Sequence, residues 1–385
     1  FMVLTTMLMW YLATIGVAIE VVFFLIPWSL GLVSEVNPLL TRTLFWYFGH
    51  PVVYFWLMPA YMMWYIVLPK LSGGRLFSDP LARVVFILFL ILSVPVGIHH
   101  QYVDPGIPEG FKFVAMTNTM FLLLPSLLTA FTVVASIEHG ARQRGGTGYL
   151  GWLRALPWGR PAFSGMALAG IMFAAGGFSG MINAGMNINY LVHNSFWVPG
   201  HFHLTVGTAT ALTIMAGSYW VLPQLTGKPL GLKKLAAVQP FIWFIGMTFM
   251  SNAMHRGGLL GIPRRVSEPQ YDAFEYEAAF GSVAELDFQV ALGGTLLFIS
   301  LLLFLLVIAK TWLNGRVENP VDDELPEPLS GAENAPRILS NFKLWIGIAV
   351  LLVILAYAVP IGYIAIDGMY EGSEPIPVFI EVLLR

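Results

Sequence analysis

Residues 288–309 read FQVALGGTLLFISLLLFLLVIA, without one charged side chain. At about 1.5 Å per residue, an α-helix of this length matches the roughly 30 Å hydrocarbon core of a bilayer. The stretch is not alone. Apolar runs of about 20 residues or more recur along the chain. They predict nine membrane helices, over 3–29, 43–69, 81–103, 113–137, 160–182, 195–222, 237–263, 284–313 and 340–367. The fold class expected is an all-α integral membrane protein, a polytopic helix bundle forming one transmembrane domain over 1–385.

Composition agrees. The 385 residues are 57% hydrophobic and 11% charged, with a mean hydropathy of +0.73. A water-exposed domain carries about 25% charged residues, whereas lipid relieves a membrane bundle of that need. The net charge is −2 and no basic patch or nucleic-acid motif is present, so nucleic acid is not an expected partner. The absence of cysteine excludes disulfides, Cys-type zinc sites and thiol nucleophiles. The loop 314–338 is polar and Pro-rich, a surface connection. The chain opens FMVLTTMLMW, with no initiator Met and no basic leader. It reads as an interior start, and further N-terminal helices are expected.

Lys and Arg set the orientation. Of the 20 in the chain, only Arg42, Lys112, Arg256, Arg264, Arg265 and Arg385 fall on one side of the predicted helices. The other side is therefore cytoplasmic by the positive-inside rule, which puts residue 1 inside and Arg385 outside.

Five of the eight histidines, His50, His99, His100, His201 and His203, sit within or at the ends of predicted helices. Ionisable groups at membrane depth are costly and usually functional. The orientation puts all five in the outer half of the membrane, and imidazole suits copper and heme iron. In HFH (201–203) the two rings point roughly 200° apart on a regular helix, so they cannot share one metal. They can hold two different metals, a geometry that suits two hemes bridged by one helix. His99 and His100 are adjacent, about 100° apart. A kink at Pro95 can turn both toward one metal, with His50 as third ligand and an open coordination position left over. Tyr54 stands four residues after His50, on the same face. A phenol there can supply both a proton and an electron.

Three segments, WYFGHPVVY (46–54), HHQYVDPG (99–106) and HNSFWVPGHFH (193–203), resemble the heme–copper oxidase subunit I family in residues, order and separation. The resemblance covers essentially the whole chain and implies a fragment of a 12–13 helix subunit. It implies that His50, His99 and His100 hold the copper called CuB, that His201 binds a high-spin heme, and that His203 binds a low-spin heme. A covalent His50–Tyr54 link is implied as well. The hemes implied are a low-spin b-type and a high-spin a-type.

Val53 stands where the commoner A-type members carry Glu. With WVPGHFH, this looks like the B family, the ba-type oxidases, which have one proton channel. The hydroxyls of Tyr61 and Tyr65, in line with Tyr54 on one helix face, and those of Ser126, Thr129 and Thr132, spaced by three, form two stripes toward the cytoplasmic side. Either stripe alone is readily explained by hydroxyls bonding to helix carbonyls. Together, and by resemblance to the B-family channel, they read as a proton path, to which Ser78 belongs by resemblance. Arg264 and Arg265 suit heme propionates, because guanidinium pairs carboxylates bidentately. His193 and Asn194 resemble propionate-side residues. Asn189 stands where B-type relatives carry Asp.

The low-spin heme needs a second axial His, which no spare helical histidine here provides. His139 and His255, at helix ends, are not expected to bind metal. Glu20 has no assigned role, and Asp104 and Glu109 read as solvated or as contacts to a partner. The activity implied is four-electron reduction of O2 to water. Electrons would come from cytochrome c through a subunit II that carries a dinuclear copper, in a prokaryotic plasma membrane. The rivals are a nitric oxide reductase of the same superfamily and a non-catalytic heme-binding electron-transfer subunit.

Overall fold

The computed structural model describes residues 1–265, 282–316 and 324–367. The tail from 368, with Arg385, lies outside them. Among the described residues there is no β-strand, only a bridge between Ser195 and Pro263. Everything else of regular structure is helical.

Helix α1 (Met2–Glu20) continues through a π-helical turn, Val21–Leu25, to Ser29. Asn37 caps α2 (Pro38–Gly49) by accepting from the Leu39 and Leu40 amides. His50 joins α2 to α3 (Pro51–Ser72), whose first residue is proline, which fits because that amide has no intrahelical partner. Ser78 caps α4 (Asp79–Leu92) in the same way. A 3-10 turn at Gly97–Gln101 precedes α5 (Glu109–Phe121) and α6 (Leu123–Gln143). Then come α7 (Pro161–Ala184), α8 (Met186–Val192), α9 (Trp197–Leu204), a π-helical segment Thr205–Thr210, and α10 (Ala211–Thr226). The last are α11 (Lys233–Leu259), α12 (Val283–Leu313) and α13 (Phe342–Asp367).

Six helical stretches are long and apolar enough to cross a membrane: Met2–Ser29, Pro38–Ser72, Glu109–Gln143, Pro161–Ala184, Val283–Leu313 and Phe342–Ile366. The predicted helices 81–103, 195–222 and 237–263 are not among them. The first is not one helix. It stops at Leu92, because Pro95 has no amide to donate and its ring crowds the carbonyl of residue 91. The second carries two histidines and a run of threonines through a π-helical segment, a feature common at functional sites.

Burial separates centre from periphery. Half of the apolar window of 38–72 is buried, against 17% for 283–313. Helix α3 is therefore the hub, with Leu57, Met58, Tyr61, Trp64, Tyr65 and Leu68 in the core. Helix α12 turns leucines such as Leu305 and Leu306 outward, as a lipid-facing helix does. It packs on α11 where Gly246 faces Gly293, each leaving no room for a Cβ, so the two backbones meet directly.

Candidate metal centre

The break in α4 builds the site. Because the chain leaves the helix at Leu92, His99 and His100 ride on a 3-10 turn rather than on a kinked helix. That turn lies against the junction of α2 and α3, where His50 sits. One ligand atom from each of His50, His99 and His100 falls within 4.8 Å of the others. Nδ1 of His50 is 3.0 Å from Nε2 of His100. The His100 ring stacks on Trp46 at 3.9 Å between centroids and 9° between planes.

Hydrogen bonds fix which nitrogens are free. The Thr119 hydroxyl donates to Ala115 O at 2.6 Å, so at 2.8 Å it accepts from Nδ1–H of His99. Nε2 of His99 is left for a metal. Across the cavity, Nδ1 of His201 is 2.9 Å from Gly176 O and 3.0 Å from Ser179 Oγ. The Ser179 hydroxyl itself donates to Gly176 O. Nδ1 of His201 is then the protonated nitrogen, and Nε2 keeps its lone pair. Such partners orient metal-binding imidazoles.

His50, His99, His100 and His201 line one cavity of about 210 Å³, together with Tyr54, Val53 and Ser126. Among the described residues no Asp or Glu lines it. His203 does not line it, and its Nδ1 lies 2.7 Å from Pro199 O. The separation of the HFH pair onto two faces is thus as its spacing dictates. The His50 and Tyr54 rings are 4.7 Å apart, and Nε2 of His50 is buried without a hydrogen-bond partner. An orphaned imidazole nitrogen is costly, and a metal or a covalent bond relieves it. The donor set, three clustered imidazoles with a fourth facing them, fits a copper opposite a heme iron.

Residues 194–196 pair with 262–264: Arg264 N donates to Asn194 O at 2.9 Å and Phe196 N to Ile262 O at 2.7 Å. This brings Arg264, His193 and Asn194 to the cavity. Arg265 is exposed, in a left-handed conformation (φ 64°), and does not line it. The amide of Asn189 donates to Asn183 O, and its oxygen lies 3.1 Å from Nδ1 of His193. Burial holds the pKa of His193 below the usual imidazole value; Asp104 opposes this, while Arg264 and Arg42 reinforce it.

Asp104 is 5% exposed and accepts from Arg42 at 3.1 Å and from Gln101 at 3.2 Å. It is buried behind Arg42, which lines the cavity, and does not itself reach the cavity, contrary to the solvated reading. Its position four residues after His100 was the available signal. Thr119, Ser179 and Gly176 gave none.

Of the hydroxyl stripes, the structure joins Tyr65 to Thr129, Oη donating to Oγ1 at 3.0 Å. Ser126, Thr129 and Thr132 each donate to the carbonyl four residues earlier, which leaves their lone pairs free to accept. Ser136, a turn beyond Thr132, continues the stripe and accepts from Phe77 N at 2.9 Å. The Tyr61 hydroxyl is buried without a partner. Ser78 acts as the N-cap of α4.

A helical bundle with membrane-length helices and a three-histidine cluster that shares one cavity with a fourth histidine is a candidate metal centre. Residues 1–296 match the family model described as cytochrome c and quinol oxidase polypeptide I, and the chain belongs to that family. It is 46% identical over 366 residues to a cytochrome c oxidase subunit 1 of Thermus thermophilus, covering 93% of this chain and 64% of that protein. The chain thus spans somewhat under two thirds of that relative. With cytochrome c oxidase polypeptide 1 of Halobacterium salinarum the identity is 27% over 301 residues, 77% of this chain and 45% of the other. A heme–copper terminal oxidase dimer solved by cryo-EM superposes with a TM-score of 0.86 at 37% identity, over 99% of this chain and 69% of that one.

Proposed function

We propose that this chain is the core of a terminal respiratory oxidase of the B (ba-type) kind, one transmembrane domain over 1–385 with nine crossings, that reduces O2 to water. The observation that carries this reading is the cavity itself: His50, His99 and His100 within 4.8 Å of one another, with His201 opposite and Tyr54 in the wall. His50, His99 and His100 would hold the copper and His201 a high-spin, a-type heme, while His203 would hold a low-spin, b-type heme from the opposite face of α9. When bound, these metals supply the electrons and the binding position for O2, four electrons and four protons giving two waters.

The chain's own residues do the rest. Tyr54 holds a proton at its Oη beside the cavity and, linked to Nε2 of His50, can also give an electron. That link rests on the family likeness and on the unpartnered nitrogen. Tyr65, Thr129, Thr132, Tyr61 and Ser126 pass protons from the cytoplasmic side, with Ser78 near the mouth. Arg264, His193 and Asn194, which line the cavity, bind heme propionates on the outer side, while Arg265, expected to join them, stands exposed beside Arg264. Val53 makes the wall apolar at its position, which supports a single proton channel. Electrons come from cytochrome c through a partner subunit II with a dinuclear copper, and the setting is a prokaryotic plasma membrane. Proton uptake from inside, with pumping, charges that membrane.

Among the described residues the wall holds no carboxylate, which favours oxygen over nitric oxide as substrate, because the related nitric oxide reductases are expected to add Glu ligands. The test is turnover of the assembled complex with reduced cytochrome c. Oxygen consumption without peroxide release is expected. Nitrous oxide formation from nitric oxide with no oxygen turnover contradicts the proposal.

A further inference from the structure

The turn that carries His99 and His100 is a problem in backbone chemistry before it is a metal site. Between the end of α4 at Leu92 and the start of the 3-10 turn at Gly97, the chain is not helical, yet Ser93, Val94, Val96 and Gly97 are all buried. Neither lipid nor an apolar core can solvate the amides and carbonyls released there, so irregular backbone at this depth survives only where protein groups satisfy it.

Two side chains from different helices do so. From α5, the Asn118 amide donates to Leu92 O at 3.3 Å and Pro95 O at 3.4 Å, spanning the break. From α13, the Tyr357 hydroxyl accepts from Gly97 N at 2.7 Å and has Val94 O at 3.4 Å to donate to. A phenol offers one proton and lone pairs, and Tyr357 uses both functions on this one turn. It is 2% exposed, on a helix whose apolar window is only 22% buried. The fit is tight. A Cβ on Gly97 would come within 3 Å of both Tyr357 Oη and the Trp46 carbonyl of α2, the helix that leads into His50. Beside Asn118, Thr119 holds the His99 ring itself.

We propose that Tyr357 and Asn118 are positioning residues for copper: they clamp the backbone of the His99–His100 turn against the His50 helix and so set the spacing of the three imidazoles. This rests on the copper assignment above. Neither residue touches the metal. Without the clamp, the turn keeps its ligands but loses its register with His50.

The test uses the assembled full-length complex with Tyr357→Phe, with Asn118→Leu, and with Tyr47→Phe as a control. Tyr47 packs on Tyr357 at 4.8 Å, but its hydroxyl donates to Leu12 O, away from the turn. Copper affinity is read by chelator competition, and site geometry by the infrared stretch of carbon monoxide on copper. Tyr357→Phe and Asn118→Leu are each expected to weaken copper about 10-fold, as loss of outer-shell support does, and to shift or broaden the band. Tyr47→Phe should leave both unchanged. If Tyr357→Phe does not assemble, Asn118→Leu decides, since it removes the other half of the clamp from a separate helix. Wild-type affinity and an unshifted band in the clamp variants overturn the proposal, as does an equal effect in Tyr47→Phe. A wild-type complex that takes up heme but no copper overturns the assignment beneath it, and the clamp with it.

Discussion

Nδ1 of His50 and Nε2 of His100 lie 3.0 Å apart, although they come from a helix junction and a 3-10 turn fifty residues away in sequence. At that distance two imidazoles either share one proton or present two lone pairs to one cation. His99 stands beside them with its Nδ1 engaged by Thr119 and its Nε2 free. A third lone pair makes the cation the better solution. Replacing His100 by Asn should therefore abolish copper binding, leaving the heme absorbance at His201 in place. Metal content and visible spectra of the purified variant measure this.

Thr119→Val keeps the shape of the side chain and removes the acceptor that orients His99. Loss of an outer-shell partner typically costs about 10–100-fold in metal affinity or activity. That range is expected here for copper, read by chelator competition. Wild-type affinity would show that His99 is oriented by packing alone.

Tyr54→Phe removes the phenol proton beside the cavity. Oxygen turnover should fall, and peroxide should accumulate where water was the product. Peptide mapping of the wild-type chain should recover the His50 and Tyr54 region as a linked species lighter by two hydrogen atoms. Full turnover in the variant, or an unlinked tyrosine in the wild type, counts against the role given to it.

Tyr65→Phe breaks the hydrogen bond from Tyr65 to Thr129, which links the two hydroxyl stripes across helices. Positioned proton-transfer groups contribute about 10²–10⁴-fold. A slowing of at least about 10²-fold in oxygen turnover is expected, with the spectra of metals and hemes unchanged. Separating turnover from the spectra distinguishes a proton path from a packing defect.

Asp104→Asn would leave the Arg42 guanidinium without its carboxylate and disturb the Gln101 amide. Mispairing a buried polar group costs about 1–3 kcal/mol. Arg42 is half exposed, so the low end is expected, visible as a modest fall in thermal stability in detergent.

Much of this was legible in the sequence because helix length, apolarity and helical period are read directly from residue order. The runs from 288–309 outward placed the six membrane-length stretches, and the i, i+2 spacing of His201 and His203 separated them, only His201 lining the cavity. What order could not show was the backbone between elements. Pro95 suggested a kink, whereas the helix ends outright, and only the three-dimensional break turns His99 and His100 onto His50. Arg264 and Arg265 read as a pair, but antiparallel pairing of 194–196 with 262–264 sends only Arg264 into the cavity. Asn118 and Tyr357 were invisible, since their partners are carbonyls and amides, which carry no sequence signature.

The most direct measurement is metal analysis of the assembled complex, with reduced-minus-oxidised and carbon monoxide difference spectra. The account predicts two hemes and one copper in the core subunit, carbon monoxide binding at one heme, and loss of that copper alone in a His50→Ala variant. Non-heme iron in place of copper, or copper retained in full by that variant, would contradict it.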